Sequence, residues 1–528
     1  MLFRNRMVLA AWSVVVLGAG SAGADTGAYI GPSSSQTPYV VPTADGVEVI
    51  SLITVGDSPK HDGYRMVGVP DGLAAVAGYY DEKKGEFKEE KKYMTVFMNH
   101  ELGNTSGTVR AHGQRGAFVS QWTINLDTLV VERGQDLIRK VMTWNGTGYS
   151  DTTGTTAFGR FCSGDLPGEK AFYDPRTRVG YDGLIYMNGE EVGNEGRSFA
   201  HVVSGAEKGT SYELPYLGKF SWENVVAHPY AGDKTIVVGL DDSTPGQVYV
   251  YIGEKRRDGN PVERAGLQYG RLYGVKVVDG GPNYGGAPVA LESGGAISGR
   301  FVLEDVTDVA SGTGAVLQST SVTRRITEFA RPEDGAWDTL DPKSFYFVTT
   351  GATVGGNAQT ARLYKLTFDS LSDPSGGTIE PVVDSATLTG RDGATARSFD
   401  NITVDGKGFV LVQEDPGNSA YIAKTWKIDP AAASAVQLAE SDRSRFLSGV
   451  PGFLTQDEES SGIIDVTHIV AGAKWAEPFR RYYLADMQAH YANGPELVEG
   501  GQLYLISIAE SGHGSDRRDR KDCTWDYQ

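Results

Sequence analysis

Residues 234–253 read KTIVVGLDDSTPGQVYVYIG, and this stretch contains the pattern that decides the fold. A run of apolar and β-branched residues ends on Asp241 and Asp242, and a turn with Pro245 and Gly246 follows. After the turn, apolar and aromatic residues resume. Strands joined by tight turns typically have this composition, because β-branched and aromatic residues favour strands and Gly and Pro end them. The stretch therefore predicts two strands, the first of which ends in carboxylates.

A short apolar strand followed by acidic or amide residues and a glycine-rich loop recurs along the chain. The six instances lie at 94–107, 184–196, 234–253, 344–366, 408–428 and 480–506. Six such units predict an all-β fold, a six-bladed β-propeller, in which radial repetition leaves few exposed strand edges. Two β-sandwiches in tandem are the alternative, but no Pro- or Ser-rich linker divides the chain. We expect residues 255–325, rich in glycine and charge, to be an insertion or an elaborated blade.

The N-terminus has the three parts of a secretory signal. Arg4 and Arg6 are the basic residues, residues 7–17 form the apolar core, and residues 22–24 are a small-residue cleavage site. We expect residues 1–24 to be removed, leaving one domain at 25–515 and a charged tail at 516–528. An uncleaved anchor is the alternative, but the apolar run is short for a membrane span. The mature protein is therefore predicted to be periplasmic or secreted, without a membrane span.

The chain is strongly acidic. It has 67 Asp and Glu residues against 49 Lys and Arg residues, a formal charge of -18. Such an excess of negative charge repels polyanions, so we expect no nucleic-acid partner. The working hypothesis is a monomer that acts on a small molecule.

Acidic residues follow closely on the predicted strands or stand in similar strand-to-loop settings. They are Glu101, Glu191, Glu223, Asp242, Glu333, Asp400, Glu414 and Asp415. In a propeller, equivalent strand ends meet at one mouth of the central channel. Converging carboxylates cannot all stay ionised without counter-charge, because like charges raise one another's pKa. Stabilising a turn is the alternative role for any single acid, but the set predicts a Ca²⁺ site at one mouth of the channel.

The segment RPEDG places Arg331 two residues before Glu333. On a strand the two side chains would share a face. An arginine beside a metal-bound carboxylate is well suited to hold a phosphate or carboxylate, because its planar fork donates two hydrogen bonds. A plain surface ion pair is the alternative.

Six segments, in this order, resemble the PhoX-type alkaline phosphatases: FMNHELG, GRFCSGDLP, SWENVVAHP, VVGLDDS, RPEDGAWD and DNITVDGKGFVLVQEDPGN. The likeness extends from about residue 40 to about residue 510. The resemblance implies a six-bladed propeller with ferric iron and calcium ions at the mouth of its channel. It also implies hydrolysis of phosphomonoesters, with Fe³⁺ and Ca²⁺ as cofactors and a small phosphate ester as substrate.

The resemblance also assigns roles to individual residues. Cys162 matches the iron-binding cysteine of the family, Arg331 its phosphate-contacting arginine, and Glu333 a metal-bound glutamate. The acidic metal ligands are matched by Glu101, Glu223, Asp242, Asp400 and Asp415, with Glu191 and Glu414 as further candidates. For Asp486 and His490, in the C-terminal part, a structural role that closes a blade is favoured over the alternative, a functional role.

The sequence departs from the family at its N-terminus. Family members are typically exported by the twin-arginine route, whereas here Asn5 separates Arg4 from Arg6. A related phosphoesterase, such as a phytase or a phosphodiesterase, is an alternative function. A non-catalytic calcium-binding propeller is another, although Arg331 and Cys162 argue against it because a structural calcium site needs neither.

The chain has two cysteines, Cys162 and Cys523. In an exported protein an even number of cysteines favours a disulfide. Cys523, however, lies in the charged tail, whereas Cys162 would complete a metal site with a soft sulfur ligand that favours iron over calcium. We therefore expect Cys162 to be a metal ligand rather than half of a disulfide.

Overall fold

The structure is a computed structural model that describes residues 27–81, 84 and 86–510. The predicted signal at 1–24, the predicted tail at 516–528 and Cys523 lie outside the described residues. Within the described part, Cys162 is buried and is a free cysteine.

Six blades of four to six strands each surround a central channel. Their inner strands, in chain order, are Pro70–Ala77, Phe161–Asp165, Trp222–Ala227, Pro332–Trp337, Phe399–Val404 and Glu458–Asp465. Each inner strand contacts the inner strand of the next blade, and the sixth contacts the first, so the ring is closed. The expected six-bladed β-propeller is confirmed, and we number its blades 1 to 6 in this order.

The other strands of each blade follow outward from the inner strand. In blade 1 they are Tyr93–His100, Phe118–Asn125 and Val131–Asp136; in blade 2, Ile185–Glu190, Ser198–Val202, Thr210–Glu213, Lys140–Trp144 and Tyr149–Asp151; in blade 3, Lys234–Asp241, Gly246–Glu254, Arg271–Asp279 and Gly299–Asp305; in blade 4, Ser344–Thr349, Arg362–Phe368 and Gly376–Asp384; in blade 5, Val410–Glu414, Lys424–Asp429, Ser434–Ser441 and Val40–Pro42; in blade 6, Arg480–Ala489, Gly500–Ala509, Val47–Thr54 and Ala28–Ile30.

Short elements decorate the blades. Three two-stranded ribbons pair Tyr79–Asp81 with Glu86–Lys88, Tyr173–Asp174 with Val179–Gly180 and Thr353–Val354 with Asn357–Ala358, and Glu328–Phe329 pairs with blade 3. The α-helices of the described residues are Pro261–Arg264, Gly314–Thr323, Arg443–Phe446, Thr467–Val470 and Gly494–Leu497. The 3-10 helices are Glu169–Ala171, Gly193–Glu195, Pro215–Leu217, Pro282–Tyr284 and Ser385–Thr387. No helix in the described part is long and apolar enough to span a bilayer.

The six recurring sequence units are the second strands of the six blades with the loops that follow them. Tyr93–His100 and Lys234–Asp241 are examples, and all but the first residue of each is buried. These strands are apolar because each lies between its own sheet neighbours and the faces of adjacent blades. Their number therefore gave the number of blades.

The N-terminal part of the chain closes the ring. Val47–Thr54 pairs antiparallel with Gly500–Ala509 and is the fourth strand of blade 6, next to the short edge strand Ala28–Ile30. In the same region Val40–Pro42 pairs with Ser434–Ser441 of blade 5. Two blades thus combine strands from both ends of the described chain, and the edge of the last blade is covered.

Residues 255–325 elaborate the outer edge of the propeller. Arg271–Asp279 is the fourth strand of blade 3, and Gly299–Asp305 pairs with it and also with Gly376–Asp384 of blade 4. The helix Gly314–Thr323 packs on this side and buries Leu317. The segment therefore joins the sheets of two blades at their outer edge.

The apolar core is divided into wedges between neighbouring blades. Leu52, Leu73 and Leu484 belong to the wedge between blades 6 and 1, and Phe97 and Phe161 to the wedge between blades 1 and 2. Four further clusters fill the other interfaces. The fold therefore rests on six apolar interfaces, which leave the middle of the ring free for polar side chains.

Shortening Leu52 tests the closure of the ring. Leu52 is fully buried in the closing strand, so Leu52→Ala is expected to lower the free energy of unfolding by about 2–5 kcal/mol. Val436→Ala, in an exposed position of blade 5, is the matched control and should change it by less than about 0.5 kcal/mol. Urea unfolding followed by tryptophan fluorescence measures both, and equal effects would contradict the closing role of the strand.

Candidate metal and anion site

The second residue of every inner strand lies at the same mouth of the channel. These six residues, which we call the inner ring, are Asp71, Cys162, Glu223, Glu333, Asp400 and Glu459. In each blade the pairing of the inner strand with the second strand shifts register next to this position. Such a bulge re-aims a side chain. One ligand-type side chain per blade is thus turned toward the channel axis.

A second set of six residues surrounds the inner ring. Each directly follows the second strand of its blade, and because that strand runs antiparallel to the inner strand, it ends at the same mouth. These residues, which we call the outer ring, are Glu101, Glu191, Asp242, Thr350, Asp415 and His490. The acids named by the sequence therefore come from two kinds of position, the start of the inner strand and the end of the second strand.

Three groups of side chains from the two rings could each hold a metal ion. They are Asp71, Glu101 and Cys162; Cys162, Glu191 and Glu223; and Glu223, Asp242 and Glu333, with the ligand atoms of each group within 4.8 Å of one another. Cys162 and Glu223 each belong to two groups, so the groups form one continuous arc across blades 1 to 4. Within the arc, the Cys162 Sγ lies 3.0 Å from Glu223 Oε2 and 3.7 Å from Asp71 Oδ2.

Two arginines hold the ends of the arc. Arg331 forms a two-point ion pair with Asp242, with Nε–Oδ1 2.8 Å and Nη2–Oδ2 2.9 Å, and its Nη2 lies 3.0 Å from Glu333 Oε1. At the other end, Arg160 Nη2 lies 2.7 Å from Glu101 Oε1 and also contacts Glu191. The arginine side chains are partly exposed, whereas their acidic partners are largely buried.

The rings hold far more acid than base. Nine carboxyl groups and one thiol face two guanidinium groups and one imidazole. Burial, followed by repulsion from neighbouring acids, raises the pKa of Glu223 and of Asp400 well above the ordinary value. Burial and the charge of Glu459 raise the pKa of Asp415 to about 7, and burial with neighbouring acids raises that of the Cys162 thiol. The site must therefore bind protons or cations at neutral pH.

Gln488 occupies a position between three acids. Its Nε2 donates to Asp71 Oδ2 and Glu101 Oε2, both at 2.8 Å, and to Glu459 Oε1 at 3.3 Å. Its buried Oε1 has no hydrogen-bond partner among the described residues. Three carboxylates around one NH₂ group, with an unpaired amide oxygen beside them, are a set of hard oxygen ligands that fits a cation such as Ca²⁺.

A layer of polar residues lies below the rings. Ser163 Oγ lies 2.7 Å from Glu223 Oε1 and 2.9 Å from Asn401 Oδ1, and Asn224 Nδ2 donates to Asp334 Oδ1 at 2.6 Å. All of these side chains are buried. Beyond the layer, the channel widens into a cavity of about 470 Å³ that opens at the other face. The hydrogen-bonded layer thus separates the rings from that cavity.

The structure brings together all of the acids proposed from the sequence except Glu414. Asp400 and Asp415 lie beside the arc, where they interact with Glu333 and Glu459. Glu414 is the last residue of its strand and faces into blade 5. Its carboxylate accepts hydrogen bonds from Tyr421 Oη, Trp426 Nε1 and the Lys424 amide. We therefore leave Glu414 out of the ligand set, because its oxygens are engaged within the blade.

Sequence analysis did not identify Asp71, Glu459, Arg160, Thr350 or Gln488, and it interpreted His490 as structural. Five of the six inner-ring positions share a signal, an aromatic or proline residue, then the ring residue, then a small or polar residue; Glu459, in EES at 458–460, does not have it. The signal reads PDG at 70–72, FCS at 161–163, WEN at 222–224, PED at 332–334 and FDN at 399–401. Thr350 Oγ1 donates to Glu333 Oε1, and His490 contacts Glu459 and Glu499.

Comparison with solved structures supports the fold. Pseudomonas fluorescens PhoX, in complex with the transition-state analogue vanadate, has a TM-score of 0.55 and 13% sequence identity, over 89% of this chain and 97% of that one. A protein of Bacteroides uniformis provisionally named a 6-phosphogluconolactonase has a TM-score of 0.31 and 10% identity, over 70% of this chain and 95% of that one.

The sequence comparisons give no family assignment. No known family model matches the sequence, and no curated protein matches it. The chain is thus a β-propeller with a fold distantly similar to that of PhoX, and its site carries acidic groups suited to metal ions.

The stability of the metal-free protein is expected to depend on pH in an unusual direction. A carboxyl group whose folded pKa exceeds its unfolded pKa of about 4 keeps its proton only in the folded state. Each such group therefore contributes stability that is complete below pH 4 and is lost as pH rises through the folded pKa, by up to about 1.4 kcal/mol per pH unit. In chelator, the midpoint of thermal unfolding should fall between pH 5 and pH 8.

Glu223→Gln should reduce the fall in the midpoint of thermal unfolding between pH 5 and pH 8, because it removes a buried acid with a raised pKa. The surface variant Glu254→Gln is the control and should follow the parent protein. An unchanged slope in Glu223→Gln would show that the ring acids do not set the pH dependence.

Proposed function

We propose that the chain is a metal-dependent phosphatase that hydrolyses phosphate monoesters at the mouth formed by the two rings. The observation that carries the proposal is the arc of acids around the Cys162 thiol, ended by Arg331. Metal cations would neutralise the acids, and together with the arginine they would attract a phosphate. The distant similarity to the fold of PhoX, which was solved with a phosphoryl transition-state analogue, supports the same function.

The residues fit the two metals that we propose, iron and calcium. The Cys162 thiolate is a soft donor that favours iron, and Glu223 and Asp71 lie close enough to share the ion. The remaining carboxylates and the Gln488 amide are hard oxygen donors suited to Ca²⁺. When bound, such cations supply Lewis-acid catalysis, because they withdraw charge from the phosphoryl oxygens.

Arg331 is proposed to bind the phosphate. Asp242 holds the guanidinium through Nε and Nη2, which leaves Nη1 without a partner among the described residues. The side chain is 34% exposed, so a ligand can reach it from the mouth. Because Asp242 and Glu333 restrict its rotation, the guanidinium is oriented before the substrate arrives, and phosphoryl transfer depends mainly on such positioning and charge stabilisation.

Glu333 is proposed to keep this arrangement in place. It accepts a hydrogen bond from Thr350 Oγ1 and an ion pair from Arg331 Nη2. It is 2% exposed, so its charge must be balanced by the arginine and by a bound cation. Glu333 therefore links the phosphate-binding arginine to the metal ligands.

We further propose that the protein is exported as a periplasmic or secreted enzyme. The basic, apolar and small-residue parts of residues 1–24 support this proposal, and these residues lie outside the described part of the structure.

The first experiment counts metals and measures turnover. Purified mature protein should contain iron and calcium, hydrolyse 4-nitrophenyl phosphate at alkaline pH, and lose activity in chelator. Elemental analysis and the release of 4-nitrophenol measure these properties. Protein that holds calcium but no iron and shows no chelator-sensitive hydrolysis would favour a non-catalytic calcium-binding propeller. Activity on phosphodiesters or phytate alone would favour a related phosphoesterase.

Arg331→Gln is expected to lower kcat by about 10²–10³-fold and to raise KM, because it removes a positioned charged donor. Arg331→Lys should restore part of the loss, since it keeps the charge but not the fork. Arg178→Gln is the matched control, because Arg178 also has a positive φ and is exposed on the loop that leaves the opposite end of the blade 2 inner strand. Steady-state kinetics on the metal-loaded variants measure these effects. If kcat and KM of all three variants equalled those of the parent protein, Arg331 would not bind the phosphate.

A further inference from the structure

Arg160 and Arg331 occupy equivalent positions in blades 2 and 4. Each lies two residues before the inner-ring residue of its blade, Cys162 and Glu333 respectively. Both have a positive φ, 39° for Arg160 and 62° for Arg331. Each contacts the outer-ring acid of the preceding blade, Glu101 for Arg160 and Asp242 for Arg331. Val69 and Ser398 hold the equivalent positions in blades 1 and 5 and also have a positive φ, 53° and 49°. Four blades therefore share this backbone, and two of them, blades 2 and 4, carry an arginine on it.

The left-handed backbone at these two positions is unfavourable for a residue with a side chain, at a cost on the order of 1 kcal/mol. Glycine would adopt the same conformation without strain. Because Val69 and Ser398 adopt the same backbone in blades 1 and 5, the strain belongs to the fold of the inner strand. The contacts and exposure of the guanidinium groups are what distinguish blades 2 and 4.

Arg160 offers free hydrogen-bond donors to the opening. Its Nη2 contacts both Glu101 and Glu191, whereas Nε and Nη1 have no partner among the described residues. The side chain is 49% exposed, compared with 34% for Arg331. An arginine that only balanced buried acids would not need its other donors exposed.

The arc of acids connects the two arginines. It begins at Glu101, which contacts Arg160, and ends at Glu333, which contacts Arg331. A phosphate bound at Arg331 therefore has a second cationic group on the other side of the proposed metal site. Next to Arg160, the side chain of Val192 packs against Gly159 and is 46% exposed, so an apolar contact lies beside the free donors.

We propose that Arg160 forms an anion subsite that binds a second negatively charged group of the substrate. The preferred substrates would then be small phosphate monoesters that also carry a carboxylate or a second phosphate. This inference rests on the proposed phosphatase function, since it assigns a substrate class to the same site. The organic part of the substrate would lie across the mouth, with its reacting phosphate at Arg331 and its other anionic group at Arg160.

The test compares ligands that differ only in the second group. Phenyl phosphate, 4-carboxyphenyl phosphate and 1,4-phenylene bisphosphate are the esters, and the corresponding phosphonates are the non-hydrolysable probes. For metal-loaded parent protein we expect kcat/KM and phosphonate affinity to be about tenfold or more higher with the second anionic group, because a hydrogen bond to a charged group has about that effect. The two probes with a second anionic group show whether a carboxylate or a phosphate is preferred.

Arg160→Gln should abolish the preference, mainly through KM, and Arg160→Lys should keep part of it. Arg178→Gln is the control, because Arg178 also has a positive φ but is exposed on the loop that leaves the opposite end of the blade 2 inner strand. Metal content is measured for every variant. The inference is overturned if the parent protein shows no preference for ligands with a second anionic group. It is also overturned if Arg160→Gln lowers the affinity for all of the ligands by the same factor.

The phosphonates separate this inference from the proposed function. If the parent protein hydrolyses none of the esters, the phosphatase function is overturned, but calorimetry with the three phosphonates still decides the role of Arg160. A preference for the phosphonates with a second anionic group that Arg160→Gln loses would support the anion subsite. Failure of the parent protein to bind any phosphonate would overturn it.

Discussion

The antiparallel pairing of Val47–Thr54 with Gly500–Ala509 is the interaction on which the rest of the molecule depends. It completes blade 6, and a complete blade 6 can pack against both blade 5 and blade 1. Only then does Glu459 of the last inner strand come near Asp71 of the first, where Gln488 donates to both. The mouth of the channel is therefore a product of ring closure, since no single blade contains more than a fraction of it.

A ring stabilised by wedges between blades can tolerate a highly charged centre. The apolar contacts lie at six interfaces away from the axis, so the buried acids displace no part of the core. The acids still have a cost, which is expressed in the raised pKa values of Glu223, Asp400 and Asp415. A cation bound among them would remove that cost and add stability by binding only the folded state.

The second strands and the number of blades could be predicted from the sequence, because buried strands such as Lys234–Asp241 are continuously apolar. The inner strands were harder to recognise, since each has a ligand-type residue at its second position and contains a bulge. Asp71 and Glu459 were missed for this reason, because each precedes its apolar run instead of following it.

Adjacent acids posed a different difficulty. Where two acids end a second strand, the structure turns the first into the blade and the second to the mouth. Glu190 thus binds Arg197 and Glu414 binds Tyr421, whereas Glu191 and Asp415 belong to the outer ring. Alternation of side chains along a strand predicts that the two acids separate. Which of them reaches the mouth depends on where the strand ends, and this could not be read from the sequence. Arg160 has the same spacing to Cys162 as Arg331 to Glu333, so this signal was present but was not recognised.

The hydrogen-bonded layer of Ser163, Asn224, Asp334 and Asn401 has a consequence for traffic through the molecule. It stands between the rings and the cavity of the other face, so the rings form the floor of a well, and we expect what binds there to enter and leave through the mouth. A leaving alcohol and a freed anion would have to exit past the next incoming molecule. Release of product through the opening, where Arg160 and Arg331 are exposed, would then compete with entry of the next substrate. The turnover of such a well would be sensitive to accumulated product.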